Sequence, residues 1–348
     1  MPRLRNVLVL LLTVLVLLAT EADTPSAPAF AAANKGNGPR LLIYYGTPEG
    51  VNNLWDVDKA AAVFASYDHI VLGEGLELPT DEYHDSTVAI IAKVRQSQPG
   101  IRFYGYVDLD YTHVKYTMQE LKRRTDLWRE AGADGIFLDD AGYDYGGTRV
   151  RFNEIVRYIH SQGMNAFVNA WKPQDVISSA YDKTHNSQSL KSAMDSRDIY
   201  LLESFLLPTD ITKKNSPSAY ASDFKQKIDS ALYYRKLLGI RLMSVSSANY
   251  RDFSDDGLRK FFRMNEAAAG VFSLDGYGVS PTHYGSARPY QDLVRAFPYS
   301  SNYMEFYDRN EAYEAKYENL DFARGGFRLH SLKGAQYYNF PPALVLES

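Results

Sequence analysis

Eight times after residue 40, a short apolar run rich in β-branched and aromatic residues is followed by a stretch with apolar residues at helical spacing. Strands that alternate with helices pair in parallel and bury both faces of their sheet. Eight units are the number that closes such a sheet into a ring. The sequence therefore predicts an α/β fold of the (β/α)8 TIM barrel class, with a short C-terminal extension.

The expected strands and helices alternate regularly, and several of the helices end at a glycine. The strands are 41–45, 69–73, 101–107, 135–139, 164–169, 199–204, 240–246 and 271–275, and the helices include 56–66, 86–96, 118–131, 149–162, 222–238, 256–269 and 289–297. Gly132, Gly163, Gly239 and Gly270 fall just before a strand, where a left-handed residue ends a helix. An open doubly wound sheet is the alternative, but segment 45–50 lacks the spacing of a Gly-rich phosphate loop.

The two ends of the chain are expected to be additions to the barrel. Residues 1–32 have the pattern of a signal peptide, with positive charges, an apolar run over 7–19 and small residues at a cleavage site. An uncleaved anchor is the alternative, although the run is shorter than the ~20 residues that span a bilayer. We expect a flexible lead-in over 33–40, a catalytic barrel over 41–298, and an extension over 299–348 that packs on the barrel and contains a hairpin. The mature protein would be a secreted, extracellular or periplasmic monomer with no stable membrane insertion.

Composition excludes several chemistries. The 348 residues include no cysteine, which removes thiolate nucleophiles, disulfides and Cys-based zinc sites. The net charge of −4 offers no basic surplus for binding nucleic acid. The histidines lack the spacing of a catalytic metal site, so we expect neither a metal nor a cofactor.

Two apolar runs end on a carboxylate, at Asp139 and at Glu203. The C-terminal ends of barrel strands meet at one mouth, so the pair is typical of the acid and base of a glycosidase. We assign Glu203 as the proton donor and Asp139 as the nucleophile or base, because crowding of like charges would raise the pKa of one carboxyl group. The alternative is that such residues cap a helix or bind an arginine.

Residues two apart in a strand share one face of the sheet, which predicts further side chains at the mouth of the barrel. The side chains expected to bind substrate are Tyr44, Glu74, Tyr106, Asp108, Asp110, Asp140, Asn169, Trp171, Asp275 and Tyr277. Trp171 is favoured as a platform for a sugar ring because it closely follows a strand end. For Asp110 and Asp140, a capping role is the alternative.

The segment 131–139, A-G-A-D-G-I-F-L-D, together with Glu203 and the first-strand segment 42–46, resembles glycoside hydrolase family 114 and its relatives, the endo-α-1,4-polygalactosaminidases. The resemblance covers about 41–277 in the order of elements, and the fourth-strand motif is its locally specific part. It implies an extracellular (β/α)8 barrel that cuts galactosamine-containing polysaccharide with Asp139 and Glu203. Segment 71–77 departs from the family pattern by carrying an extra pair of glutamates.

An acidic mouth would favour a cationic substrate. The carboxylates expected there exceed what two-carboxylate chemistry requires, and a partly deacetylated galactosaminan would be attracted by their field. Pairing with Arg102, Lys172 or Arg241 is the alternative, and it would leave the mouth nearly neutral. The competing function is a secreted barrel that binds cell-surface polysaccharide without cutting it, although the presence of both Asp139 and Glu203 argues against it.

Overall fold

The computed structural model describes residues 39–112, 115–208, 223–272, 274–282, 321–324, 327–332 and 335–339. The signal peptide expected at 1–32 and the helix expected at 289–297 lie outside these residues. Within the described part of the chain, no helix combines the length and the apolar character that crossing a bilayer requires.

Eight parallel strands pair in chain order and form a ring. They are β1 (Leu41–Tyr44), β2 (His69–Leu72), β3 (Arg102–Asp108), β4 (Gly135–Asp139), β5 (Asn165–Val168), β6 (Ile199–Leu202), β7 (Arg241–Ala248) and β8 (Gly276–Pro281). The last strand returns to the first, because Tyr277 pairs in parallel with Arg40 and donates its N–H group to the carbonyl oxygen of Pro39 at 3.0 Å. The predicted (β/α)8 TIM barrel fold is confirmed.

The helices cover the outside of this ring and start at local capping signals. They are α1 (Val57–Phe64), α2 (His84–Ser97), α3 (Met118–Ala131), α4 (Arg149–Ser161), α5 (Pro173–Ile177), α6 (Phe224–Leu238) and α7 (Asp255–Val271). The side chains of Asp56, Thr117 and Thr148 each accept the N–H group three residues later, which satisfies a donor that the first turn leaves unpaired. Gly132 and Gly239 end their helices in the left-handed conformation, as predicted.

The expected eighth strand at 271–275 is wrong. Helix α7 runs through Val271, the N–H group of Phe272 still bonds to the carbonyl oxygen of Ala268, and β8 begins only at Gly276. Gly270 therefore lies inside α7 instead of ending it. A short buried apolar run does not by its periodicity distinguish a strand from the end of a buried helix.

An aspartate precedes each even-numbered strand and accepts the N–H group of a residue at the start of the preceding strand. The pairs are Asp68 with Arg40 (2.7 Å), Asp134 with Phe103 (2.9 Å), Asp198 with Ala166 (2.8 Å) and Asp275 with Leu242 (3.0 Å). These four carboxylates stabilise the N-terminal end of the barrel, opposite the mouth. The expected substrate contacts of Asp275 and Tyr277 are therefore wrong, because Asp275 directly precedes β8 and Tyr277 is its second residue, at the end opposite the mouth.

Side-chain parity in β4 is as expected. Phe137 packs inside the ring against Tyr106 and Phe167, with centroid distances of 5.9 and 5.2 Å, so Asp139 shares the inner face. Tyr44 instead is fully buried and its ring contacts Phe64 of α1 at 5.4 Å. The expected substrate contact of Tyr44 is wrong, because a strand that is apolar at every position offers no alternation from which to choose a face.

The C-terminal extension contains a three-stranded antiparallel sheet. The strands are β9 (Asp321–Arg324), β10 (Phe327–Leu332) and β11 (Ala335–Asn339), in the order β11-β10-β9. The expected hairpin corresponds to β10 and β11, whose register pairs Leu329 with Tyr338. β9 was not expected. That the extension packs on the barrel stays a prediction.

Candidate active site

Asn169 joins the two carboxylates that the sequence singled out. Asp139 ends β4, Glu203 directly follows β6, and Asn169 directly follows β5, which lies between them. The Asn169 Nδ2 atom donates to Asp139 Oδ1 at 2.8 Å and to Glu203 Oε2 at 2.9 Å. Because one nitrogen contacts both, the two oxygens are no more than about 6 Å apart, the sum of the two hydrogen-bond lengths.

Asp139 is largely buried and receives hydrogen bonds from neutral donors. Besides the Asn169 amide, the Tyr106 hydroxyl and the N–H group of Asp140 donate to it. Burial raises the pKa of Asp139 above its usual value, and the hydrogen bonds from Asn169 and Tyr106 oppose that rise. The three hydrogen bonds favour the ionised form of this carboxyl group, whereas burial favours the protonated form.

Both strand-end carboxylates are followed by a residue with left-handed backbone. Asp140 has φ of 52° and Ser204 has φ of 51°. A non-glycine residue there costs about 1 to 3 kcal/mol, and such strain concentrates at functional sites. Burial, followed by the charges of Asp139 and the neighbouring aspartates, raises the pKa of Asp140 to about 7. Asp140 therefore titrates close to neutral pH, with Tyr145 as a hydrogen-bond partner.

Lys115 lies between two other carboxylates of the mouth. Its Nζ atom is 2.7 Å from Glu74 Oε2 and 3.0 Å from Asp108 Oδ2. The nearby Glu77 is fully buried and pairs with Arg124. Of the two glutamates in segment 71–77, Glu74 therefore belongs to the mouth and Glu77 to the core. The expected neutralising residue Arg102 instead binds Asp134 at the other end of the barrel.

Trp171 is exposed beside Glu203, as a sugar platform requires. The Nζ atom of Lys227 lies 4.0 Å from the centre of the Trp171 ring and donates to the carbonyl oxygen of Glu203 at 3.1 Å. Burial lowers the pKa of Lys227. A pocket open to solvent lies beside these side chains and is lined by Trp171, Glu203, Asp223, Phe224 and Lys227, among others.

Asp110, which was expected to bind substrate, instead caps the loop that follows β3. Asp110 accepts the N–H group of Thr112 at 2.8 Å and donates its own to Asp108, which is the capping geometry named as its alternative. Lys115 and Lys227 were not anticipated. Each lies in a helix or loop with no periodic relation to a strand end, so no sequence signal could have found them.

The described residues contain one group of side chains with metal-ligand chemistry, formed by His160, Asp195 and Asp198. Asp198 is fully buried, and its two oxygens already accept from His160 and from the N–H groups of Ala166 and Asp195. The group lies at the N-terminal end of the barrel, away from Asp139. Its hydrogen bonds give it a structural role.

No family model matches the chain, and no curated protein matches it by sequence. Solved structures similar to it include the glycoside hydrolase domain of PelA from Pseudomonas aeruginosa, at 10% identity and a TM-score of 0.41 over 74% of this chain and 100% of that one. The Lead(II) complex of Haloferax volcanii malate synthase has 11% identity and a TM-score of 0.44 over 77% of each chain. Tryptophan synthase subunit alpha from Legionella pneumophila has 11% identity and a TM-score of 0.36 over 70% of this chain and 80% of that one. These three proteins are enzymes of different kinds, and such distant similarities assign no activity to this chain.

Proposed function

We propose that the protein is a secreted glycoside hydrolase that cleaves a polysaccharide containing galactosamine with Asp139 and Glu203. The observation that carries the proposal is the Asn169 amide, which contacts both carboxylates at the barrel mouth. Glycoside hydrolysis needs a proton donor and a second carboxylate on either side of the scissile bond. The strained residues that follow both carboxylates add support, because strain marks functional sites.

The short gap between the carboxylates favours retention of configuration. Retaining glycosidases hold the two groups ~5 to 5.5 Å apart, whereas inverting ones leave ~6.5 to 9.5 Å for a water molecule. The limit of about 6 Å on the oxygen separation is nearer to the first range. We therefore infer that one carboxylate attacks the anomeric carbon directly.

The surroundings of the two groups suggest their roles. Asp139 is held by three donors and largely buried, which suits a nucleophile that stays in place. Glu203 is exposed, which suits a group that exchanges protons with the leaving group and with water. Glu203 protonates the glycosidic oxygen while Asp139 bonds to the anomeric carbon. Water then attacks that carbon, gives its proton to Glu203 and releases Asp139.

An amino sugar fits the charges at this mouth. Glu74 and Asp108 already hold one primary ammonium group, that of Lys115. The ammonium group of galactosamine has the same chemistry. The carboxyl groups of Asp139 and Glu203 accept from the neutral Asn169 amide, and a cationic sugar could pair with them.

Hydrolysis of partly deacetylated galactosaminan tests this function. We expect new reducing ends, and NMR of the first products should show the anomeric configuration of the substrate. The rate should fall as salt is added and should be lower on the fully acetylated polymer, because both changes weaken attraction to the acidic mouth. Binding without any release of sugar would contradict the proposal and favour the non-catalytic barrel. N-terminal sequencing of protein recovered from the medium tests secretion.

Replacing Asn169 by Ala is expected to lower kcat roughly 10- to 100-fold, since small misplacement of reacting groups is costly. The Asn169 amide lowers the pKa of Asp139, so its loss raises that pKa. The nucleophile is active when ionised, and the acidic limb of the pH–rate profile should move to higher pH. Asn169→Asp preserves the size but adds a negative charge, and should move the limb further. An acidic limb that stays in place in both variants would contradict the role of Asn169.

A further inference from the structure

Exposed aromatic side chains surround the mouth of the barrel. Among the described residues, five of them follow the C-terminal ends of strands, and 39% to 46% of each is exposed: Tyr45, Trp55, Tyr111, Tyr145 and Trp171. Burial of an aromatic ring is favourable, so rings left in water around a cleft mark a surface that binds something. Trp171 belongs to the site already described, whereas Trp55 has no role so far.

The loop that carries Trp55 has an unusual backbone conformation. Trp55 has φ of 48°, and the preceding Asn52 and Asn53 have φ of 52° and 59°. Asparagine tolerates this left-handed conformation, but a bulky tryptophan rarely adopts it. The indole Nε1 atom donates to Asn53 Oδ1 at 3.0 Å, and the ring lies 6.2 Å from that of Tyr83. The indole is therefore held by Asn53 and Tyr83, while 43% of Trp55 remains exposed.

Trp55 and Trp171 lie on opposite sides of the mouth. Trp55 follows β1 and precedes Asp56, the N-cap of α1, while Trp171 follows β5 and precedes Lys172, the N-cap of α5. In a closed ring of eight strands, β1 and β5 are four strands apart in either direction. A single saccharide chain that contacts both rings therefore has to cross the mouth.

Aromatic side chains connect the proposed catalytic pair to the β1 side of the mouth. Tyr106 contacts Asp139, and its ring lies 5.3 Å from the exposed ring of Tyr45 at the end of β1. Gly73 permits this arrangement, because a Cβ atom there would lie only 3.0 Å from the Cα atom of Tyr45. Side-chain contacts therefore lead from Asp139 to the end of β1, the strand that precedes the loop carrying Trp55.

We propose that Trp55, supported by Tyr83, is a distal sugar-binding platform for a polysaccharide chain that crosses the mouth. The indole stacks on the apolar face of a sugar ring several units away from the bond that is cut. This inference rests on the proposed function for the class of ligand, but the contact itself requires no cleavage. On this proposal, a trisaccharide bound at Asp139 and Glu203 ends short of Trp55.

Binding measurements in an Asp139→Asn background test the platform without turnover. The probes are long, partly deacetylated galactosaminan and its trisaccharide. We expect Trp55→Ala to weaken polymer binding about tenfold, Trp55→Phe to retain most of it, and neither to change trisaccharide binding. Trp55→Asn removes the ring with a residue that tolerates the left-handed backbone, and should match Trp55→Ala. Tyr233→Ala, which removes an exposed ring from the outer helix α6, is the matched control and should bind as the parent does.

Polymer binding that is unchanged in Trp55→Ala and Trp55→Asn, or equal losses for polymer and trisaccharide, would overturn the inference. So would a parent protein that binds no galactosaminan. If the protein with native Asp139 released no sugar while polymer binding still depended on Trp55, the platform would stand and the proposed hydrolysis would fail.

Discussion

The Asp139→Asn variant is expected to lose more than about 10⁴-fold in kcat on polysaccharide while the barrel stays folded, because its amide cannot form the covalent bond to the anomeric carbon. The amide has nearly the same size, and the hydrogen bond from Asn169 can still reach its oxygen. Kinetics with unchanged circular dichroism and melting temperature check this. The matched control is Asp144→Asn, an exposed carboxylate of the same loop, which should leave kcat unchanged.

Glu203→Gln should have a different signature. Loss of the proton donor lowers kcat about 10²- to 10⁴-fold on polysaccharide, but much less on an aryl glycoside whose leaving group needs no proton. Azide separates the two roles further. Added to Asp139→Ala, it should yield a glycosyl azide of inverted configuration, and added to Glu203→Ala, one of retained configuration. Exchanged outcomes would reverse the assignment, and full turnover in either variant would refute it.

Replacing Gly105 by Ala is expected to destabilise the barrel by about 3 kcal/mol or more, a large effect for one methyl group. A Cβ atom at Gly105 in β3 would lie 2.0 Å from the Cδ2 atom of Trp128. That indole is fully buried, and its Nε1 atom donates to the carbonyl oxygen of Tyr106 at 3.1 Å. It cannot move without losing both its packing and this hydrogen bond.

Urea unfolding of Gly105→Ala and Gly163→Ala provides the comparison. A Cβ atom at Gly163 would meet nothing within 4 Å, so its cost is the left-handed backbone alone, about 1 kcal/mol. Shrinking the indole in Gly105→Ala/Trp128→Leu should recover part of the loss. A Gly105→Ala protein as stable as the parent would show that α3 is not held against β3 by this contact.

Elements with strong local signals matched their predicted bounds. The fourth strand, 135–139, and the third helix, 118–131, agree with β4 and α3, because Thr117 and Gly132 cap the helix and an apolar run ends on Asp139. The expected eighth strand was wrong because α7 extends to Val271 and β8 begins only at Gly276. Because of that error, Asp275 and Tyr277 were expected at the mouth, whereas they lie at the opposite end of the barrel.

The alternation of side chains along a strand predicted the inward-facing residues correctly in β4 and wrongly in β1. In β4, Ile136 and Leu138 point away from the barrel interior, whereas Phe137 points into it. Asp139 is two residues after Phe137, so its side chain lies on the same inner face. The run that ends at Tyr44 is apolar throughout, so the sequence contained nothing to show that this ring turns toward α1. Where a strand is buried on both faces, only its neighbours settle the direction of a side chain.

The order of residues was enough to establish the number of barrel strands, the ends of most helices and the two acidic strand ends, since each depends on a few adjacent side chains. The meeting of the carboxylates required the closed ring, because Asn169 reaches partners 30 and 34 positions away along the chain. Lys115 between Glu74 and Asp108, and Trp55 across from Trp171, depend on the same closure. Contacts between distant segments follow from packing of the whole barrel, and local periodicity contains no information about them.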